Sequence, residues 1–354
     1  MNNQNDDNNY LKTSKGSDSE SREKVFGQLT NGKLLFLAVI SLLLSVAGPL
    51  FVFAPVPMCI AFLLYGKQKT WSLVVSTVVL ITGASYASES LASVRMMGSY
   101  YFVSAIVAYV TARIIWNKEN PVSGLLKNGF SIFTILALIF GALVFISGKS
   151  PVGVFTEGVI LVGDNLKASK GFDNFLAEGG DQAEAMKYII EKPEEVALLV
   201  LKMTFAVSFV GTFFILWMSQ FMLMRNSLIW RQFYDYPYKM KDLVRFKVPE
   251  QFVYVLIIAM ALIPLGTYVV ENELMETVGW NIVYSLGIFY FFQGFGIVSD
   301  ALDAYGIFGF FRSVIVILSI FMGYQAVAIL GVANIWIDFR KFLKKKNKNE
   351  GDII

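Results

Sequence analysis

Apolar residues in this chain gather into blocks at about 32–48, 51–66, 70–88, 99–116, 129–147, 195–223, 251–270, 280–298, 305–321 and 323–338. Most run about 17 to 25 residues, the length an α-helix needs to cross roughly 30 Å of hydrocarbon. The pattern predicts an all-α fold, a polytopic helical membrane protein of about ten spans. The first two blocks meet at Gly48-Pro49, with Pro55 and Pro57 soon after, so they also suit one broken element. Only Met322-Gly323-Tyr324-Gln325 separates the last two, which read as a tight hairpin. If that pair were one long helix, the count would be nine.

Composition agrees with a lipid solvent. Hydrophobic residues make up 55% of the chain and charged residues 16%, against roughly 25% charged in soluble domains. Histidine is absent and the single cysteine, Cys59, lies inside an apolar block, which removes disulfides, zinc sites and Cys/His nucleophiles. No acid pair or nucleophile dyad stands out, so no enzymatic activity, metal or cofactor is expected. Gly148-Lys149-Ser150 looks like the end of a phosphate-binding loop. However, six residues separate Gly141 from Gly148 where that loop has four, and the context is a span end rather than a strand.

Position matters more than total for the lysines and arginines. They gather in the N-terminal tail, at Lys67 and Lys69, at Arg113, Lys118 and Lys127, along Arg225 to Lys247, and after Arg340. The intervening connections hold Glu89 with Arg95, then the long 148–194 stretch, then Glu271, Glu273 and Glu276 without a base. Basic residues in every other connection, which places those connections on one side, predict a bacterial cytoplasmic (inner) membrane protein with N- and C-termini in the cytoplasm.

Five regions follow. Residues 1–30, rich in Asn, Asp and Ser, read as a disordered cytoplasmic tail, and no apolar core of a signal peptide follows their charges. Residues 31–147 form a first membrane helix group. Residues 148–194 form an extracytoplasmic segment, in which Asp181 and Glu184 have capping-box spacing ahead of an apolar stripe of Met186, Ile189 and Ile190. That helix is expected to lie on the membrane surface. Pro193, Glu194 and Glu195 suit the first turn of the next span. Residues 195–340 form a second helix group, and 341–354 a basic cytoplasmic tail.

Ionisable and amide groups in or near spans are functional candidates, because lipid burial costs several kcal/mol. They are Glu89, Arg95, Lys202, Gln220, Gln293, Asp300, Asp303, Arg312, Gln325, Asn334 and Asp338. Snorkelling at span ends is the commoner explanation for most of them. Gln293 differs, because it sits deep in Phe289-Tyr290-Phe291-Phe292-Gln293-Gly294-Phe295-Gly296. Its amide needs a partner, either an interhelical hydrogen bond of about 1 kcal/mol or a ligand. The substrate-binding candidates are Pro55, Pro57, Gln293, Asp300, Arg312 and Asn334. Arg225, Arg231, Lys239, Lys241, Arg340, Lys344, Lys345 and Lys346 are the candidates for contact with anionic headgroups.

Pro49 to Gly66 with Ala54-Pro55-Val56-Pro57, Phe246-Lys247-Val248-Pro249, Tyr290 to Gly296, and Leu330-Gly331 leading to Ile337-Asp338-Phe339-Arg340 together resemble the YybS-like family of uncharacterised bacterial membrane proteins. That family carries an acid near the position of Asn334, so the asparagine departs from its pattern. The family is distantly similar to the substrate-binding subunits of energy-coupling-factor transporters. The likeness implies small-molecule capture, with an ATPase or coupling module supplied by other chains. The leading expectation is therefore a substrate-binding or transport-associated subunit, and the alternative is a membrane scaffold acting through basic cytoplasmic faces. The lipid bilayer is the expected partner, no nucleic acid is expected, and a homo-oligomer stays open.

Overall fold

The computed structural model describes residues 27–87, 94–169 and 171–343. Among these residues every regular element is helical. In chain order they are α1 (Asn31–Val46), a 3₁₀ turn (Gly48–Phe53), α2 (Pro55–Tyr65), α3 (Lys67–Ala87), α4 (Val94–Trp116), α5 (Pro121–Ser147) and α6 (Pro151–Lys167). Next come α7 (Phe172–Glu178), α8 (Asp181–Glu191), α9 (Pro193–Met224), α10 (Ser227–Tyr234), α11 (Met240–Val244) and α12 (Phe252–Pro264). A π turn (Leu265–Val269) leads to α13 (Glu273–Ala304), α14 (Gly309–Phe321) and α15 (Tyr324–Ala333).

The helices are where the apolar blocks predict them, but ten segments that are each long and apolar enough to be candidate spans are not. Six segments have the length and hydropathy of a span: Gly48–Tyr65, Met97–Trp116, Pro121–Ser147, Pro193–Met224, Phe252–Val269 and Glu273–Ala304. The bent pair α14 and α15 would add a seventh if it were one span. The physical reason is length in two places and polarity in a third. Helix α1 has 16 residues, about 24 Å at 1.5 Å per residue. Helix α3 is a continuous helix of 21 residues, long enough to cross, but its lysines, serines and threonines make it less apolar than these six. Helices α14 and α15 have 13 and 10 residues, about 20 and 15 Å, and meet at 87°. They are not a hairpin of two crossings.

Where α14 and α15 lead is shown by their ends. Arg312, in the first turns of α14, pairs with Asp303 at the end of α13. Arg340, beyond α15, lies 3.0 Å from Asp300 of α13. The stretch from Gly309 to Arg340 thus leaves the end of α13, runs back beside Tyr290 and Gly294, and returns at Arg340 to Asp300 near that end, as a re-entrant element does.

Two compact units make up the chain: Met1–Asn128 with Phe213–Arg245, and Gly129–Thr212 with Phe246–Ile354. In the first, Gly48 at φ +58° and Pro49 turn the chain so that α1 and α2 lie side by side. Ser41 Oγ donates to Ala54 O at 2.7 Å and sits 3.3 Å from Ser104 Oγ. Pro55 and Pro57 occupy the first turn of α2, where no backbone donor is needed. Small Ala105, Ala108 and Ala112 of α4 are fully buried with Met58, Cys59 and Phe62 of α2, and Cys59 Sγ contacts Ala108 O at 3.4 Å. Three connections meet at one end of this unit. Tyr234 donates to Leu63 O, Tyr236 to Glu119 O at 3.1 Å, and Lys118 pairs with Asp235 at 3.6 Å. Burial is the main cause that raises the Tyr236 phenol well above its ordinary value, so it stays a donor at any physiological pH.

In the second unit, residues 148–194 hold three helices rather than one. Asp181 is the first residue of α8, not its cap; Gly180 takes that place without a side-chain bond, so the expected capping box is absent. The stripe of Met186, Ile189 and Ile190 is half-buried, and Ile190 reaches Gly163 of α6. Hence α8 packs on α6 with the face expected to meet lipid.

Candidate functional site

Helix α13 organises the second unit. Asn272 caps it by accepting from Leu274 N at 3.0 Å and Met275 N at 3.3 Å. Its 32 residues span about 48 Å, more than a bilayer core, and it carries two amides about 18 Å apart, Asn281 and Gln293.

Gln293 is 2% exposed. Its Nε2 donates to Gly331 O of α15 at 2.8 Å and its Oε1 accepts from Val248 N at 2.6 Å. One side chain therefore ties α13 both to α15 and to the chain entering α12. Beside it the helices touch backbone to backbone. A Cβ on Gly294 would stand 1.8 Å from Val327 O, and one on Gly331 would stand 1.9 Å from Tyr290 O. Phe246, Phe289 and Phe292 close the contact with ring centroids 5.7 to 6.4 Å apart.

One to three turns further on, the polar candidates form pairs. Arg312 bonds Asp303 and reaches Ser299 Oγ at 3.1 Å. Arg340 Nε is in charge contact with Asp300 at 3.0 Å without the alignment of a hydrogen bond. Asn334 Oδ1 is buried with no hydrogen-bond partner among the described residues. Four of the six substrate-binding candidates (Gln293, Asp300, Arg312 and Asn334) thus belong to the second unit, whereas Pro55 and Pro57 belong to the first. Arg225, Arg231, Lys239 and Lys241 are exposed on the connection that follows α9. Lys344, Lys345 and Lys346 lie outside the described residues.

The other amide lines a cavity. Asn281 Oδ1 accepts from Ala206 N of α9 at 2.9 Å, and its Nδ2 donates to Lys202 O at 2.7 Å and to Thr277 O of its own helix at 2.8 Å. Ala206 N–H and Lys202 C=O are four residues apart, the two groups that an α-helix pairs with each other. The asparagine side chain engages that rung of the ladder, an arrangement that bends or loosens helices. Around it lies a cavity of about 300 Å³ walled by Lys202, Met203, Glu273, Glu276, Trp280 and Tyr284. Lys202 Nζ pairs with Glu273. Trp280 and Tyr284 stack at 5.6 Å and 23°. The cavity thus offers a cation, two carboxylates, an amide and an aromatic wall.

Lys202 is among the sequence candidates but Asn281 is not. The apolar block begins at 280, which makes Asn281 look like a span-end residue free to reach water. The helix in fact starts at Glu273, two turns earlier. Allowing for that extension, the criterion that singles out Gln293 would have found Asn281 as well.

The described residues contain no cluster of three His, Cys, Asp or Glu side chains able to hold a metal ion. No curated protein and no solved structure matches the chain. A family defined by sequence does, over residues 34–335. The run of apolar helices and this match agree, and the chain belongs to the family described as a predicted membrane protein, DUF2232.

Proposed function

We propose that the protein is a substrate-binding or transport-associated membrane subunit that holds a small polar molecule in the cavity between α9 and α13. The observation that carries the reading is Asn281, whose amide engages the backbone of α9 inside a cavity that also holds Lys202, Glu273 and an aromatic pair. A polar side chain bonded to the backbone of a neighbouring helix beside open space offers groups a ligand could use, and about 300 Å³ is at the lower end of the range for small-molecule pockets. The mixed charges favour a ligand with both a donor-rich and an acceptor-rich end over a simple ion.

The re-entrant path of α14 and α15 supports the expected orientation, because it brings the basic C-terminal stretch back to the end of α13 without a further crossing. On that reading the membrane is the bacterial inner one, and the cavity opens near its outer face. The test is purification of the intact chain from mild detergent, with mass spectrometry of molecules released on denaturation and of co-purifying proteins. The native chain should release a small molecule that Asn281→Leu does not retain. Nothing released, or equal release from both, contradicts the reading; an ATPase in the same fraction would extend it.

A further inference from the structure

A second recess lies in the other unit, at the end where three connections meet. It is about 430 Å³ and is lined by Gly66, Lys67, Tyr109, Arg113, Trp116 and Tyr234. Two of these are cations and none is an acid. Lys67 Nζ sits 5.4 Å from the centre of the Tyr109 ring, a cation–π contact that holds the ammonium at the wall. Neither Lys67 nor Arg113 pairs with a carboxylate among the described residues.

The neighbouring charges are already engaged. Lys118 pairs with Asp235. Glu119, the nearest acid in sequence, accepts from Asn117 Nδ2 at 3.1 Å. The walls are fixed: Tyr109 and Trp116 pack edge-on at 6.1 Å, each is also 5.6 to 6.5 Å from Phe62, and the Tyr234 hydroxyl is tied to Leu63 O. The recess also has a definite depth. It lies where two candidate spans end, Gly48–Tyr65 and Met97–Trp116, with a tryptophan and two tyrosines of the kind enriched at headgroup level.

We propose that this recess binds a phosphate group, presented by an anionic phospholipid headgroup or by a soluble phosphate ester. Arg113 offers a planar fork suited to two phosphate oxygens and Lys67 a point charge. The aromatic walls suit the glycerol and first methylenes of a lipid whose tails lie along α2 and α4. Basic recesses between spans at the cytoplasmic surface are used for such headgroups. The inference does not depend on the ligand proposed for the α9–α13 cavity, since the residues involved belong to different units.

The experiment uses the full chain in nanodiscs of phosphatidylcholine with a limiting fraction of phosphatidylglycerol, and counts retained lipids by native mass spectrometry. The native chain should keep phosphatidylglycerol selectively. Lys67→Ala with Arg113→Ala should hold it roughly thirtyfold less well, at about 1 kcal/mol for each basic residue near the surface. The charge-conserving pair Lys67→Arg with Arg113→Lys should recover most of the retention, which a fold defect would not allow. Glycerol 3-phosphate added from solution separates the two sources: displacement of the lipid identifies a site open to soluble esters, and retention of it identifies a lipid site. Equal retention by the native chain and the double alanine variant, with no effect of glycerol 3-phosphate on either, overturns the proposal.

Discussion

Two amides on one helix have opposite surroundings. Gln293 is enclosed by phenylalanine rings and spends its donor and acceptor on backbone groups that have no other use for them, at a point where α13 and α15 touch through Gly294 and Gly331. Asn281 addresses backbone groups that could satisfy each other, next to open space. The first arrangement is the way to fasten helices where water cannot compete. The second holds a rung of α9 under side-chain control and leaves polar groups facing a cavity. Within a single helix, one half is built for closure and the other for access.

The largest effect that would break this contrast is steric. Replacing Gly331 by Leu puts a side chain where Tyr290 O already stands, so α13 and α15 must separate. We expect a cost of about 3 kcal/mol or more, read as loss of the folded fraction after extraction and a sharply lower melting temperature. Gly287, also on α13, has open space at its Cβ. Gly287→Ala should melt as the native protein does or slightly higher. Equal effects at the two glycines would show that the backbone contact is not what holds α15.

Next in size is Gln293→Leu. It keeps the apolar surface but leaves Val248 N–H and Gly331 C=O without partners, at about 1 to 3 kcal/mol for a stranded group. A drop in thermal stability of about 2 kcal/mol is expected, with ligand retention reduced only in proportion to the folded protein. Asn281→Leu should do the reverse. Ala206 N–H and Lys202 C=O can pair directly once the amide is gone, so stability should stay within about 1 kcal/mol of native while small-molecule retention is lost. If thermal denaturation and retention fall together in both variants, the two halves of α13 do not differ as argued.

The sequence shows part of this contrast and hides the rest for identifiable reasons. Apolar blocks locate the helices because lipid-length runs have few alternative readings. They misjudge where helices end, since α13 runs on through Glu273 to Thr277 beyond the apolar block, although Asn272 followed by Glu273 and Glu276 is the pattern of a helix start. Gln293 stands out because a lone amide among five aromatics has to be satisfied. Its partners do not, because both are main-chain atoms and every residue carries those. Gly294 and Gly331 lie far apart in the chain, and neither marks the other. The re-entrant pair reads as two crossings in the sequence because its hydropathy equals that of a span, and the short helices, the 87° bend and the pairs of Arg312 and Arg340 with the end of α13 distinguish them.

The smallest effect concerns that re-entrant element. Asp300 and Arg340 are each about 23% exposed, so their attraction is partly screened and a double-mutant cycle through Asp300→Ala and Arg340→Ala should give a coupling of about 1 kcal/mol or less. A coupling near zero would not by itself separate a weak pair from an absent one, and proximity has to be read independently. In a Cys59→Ala background, Asp300→Cys with Arg340→Cys should cross-link under mild oxidation, and single cysteines at the two positions should be labelled by an impermeant maleimide from the same side of the membrane. Were α14 and α15 a complete crossing, the pair could not cross-link and the labels would divide between the two sides. That division would also remove the support that the re-entrant path gives to an extracytoplasmic opening for the Asn281 cavity.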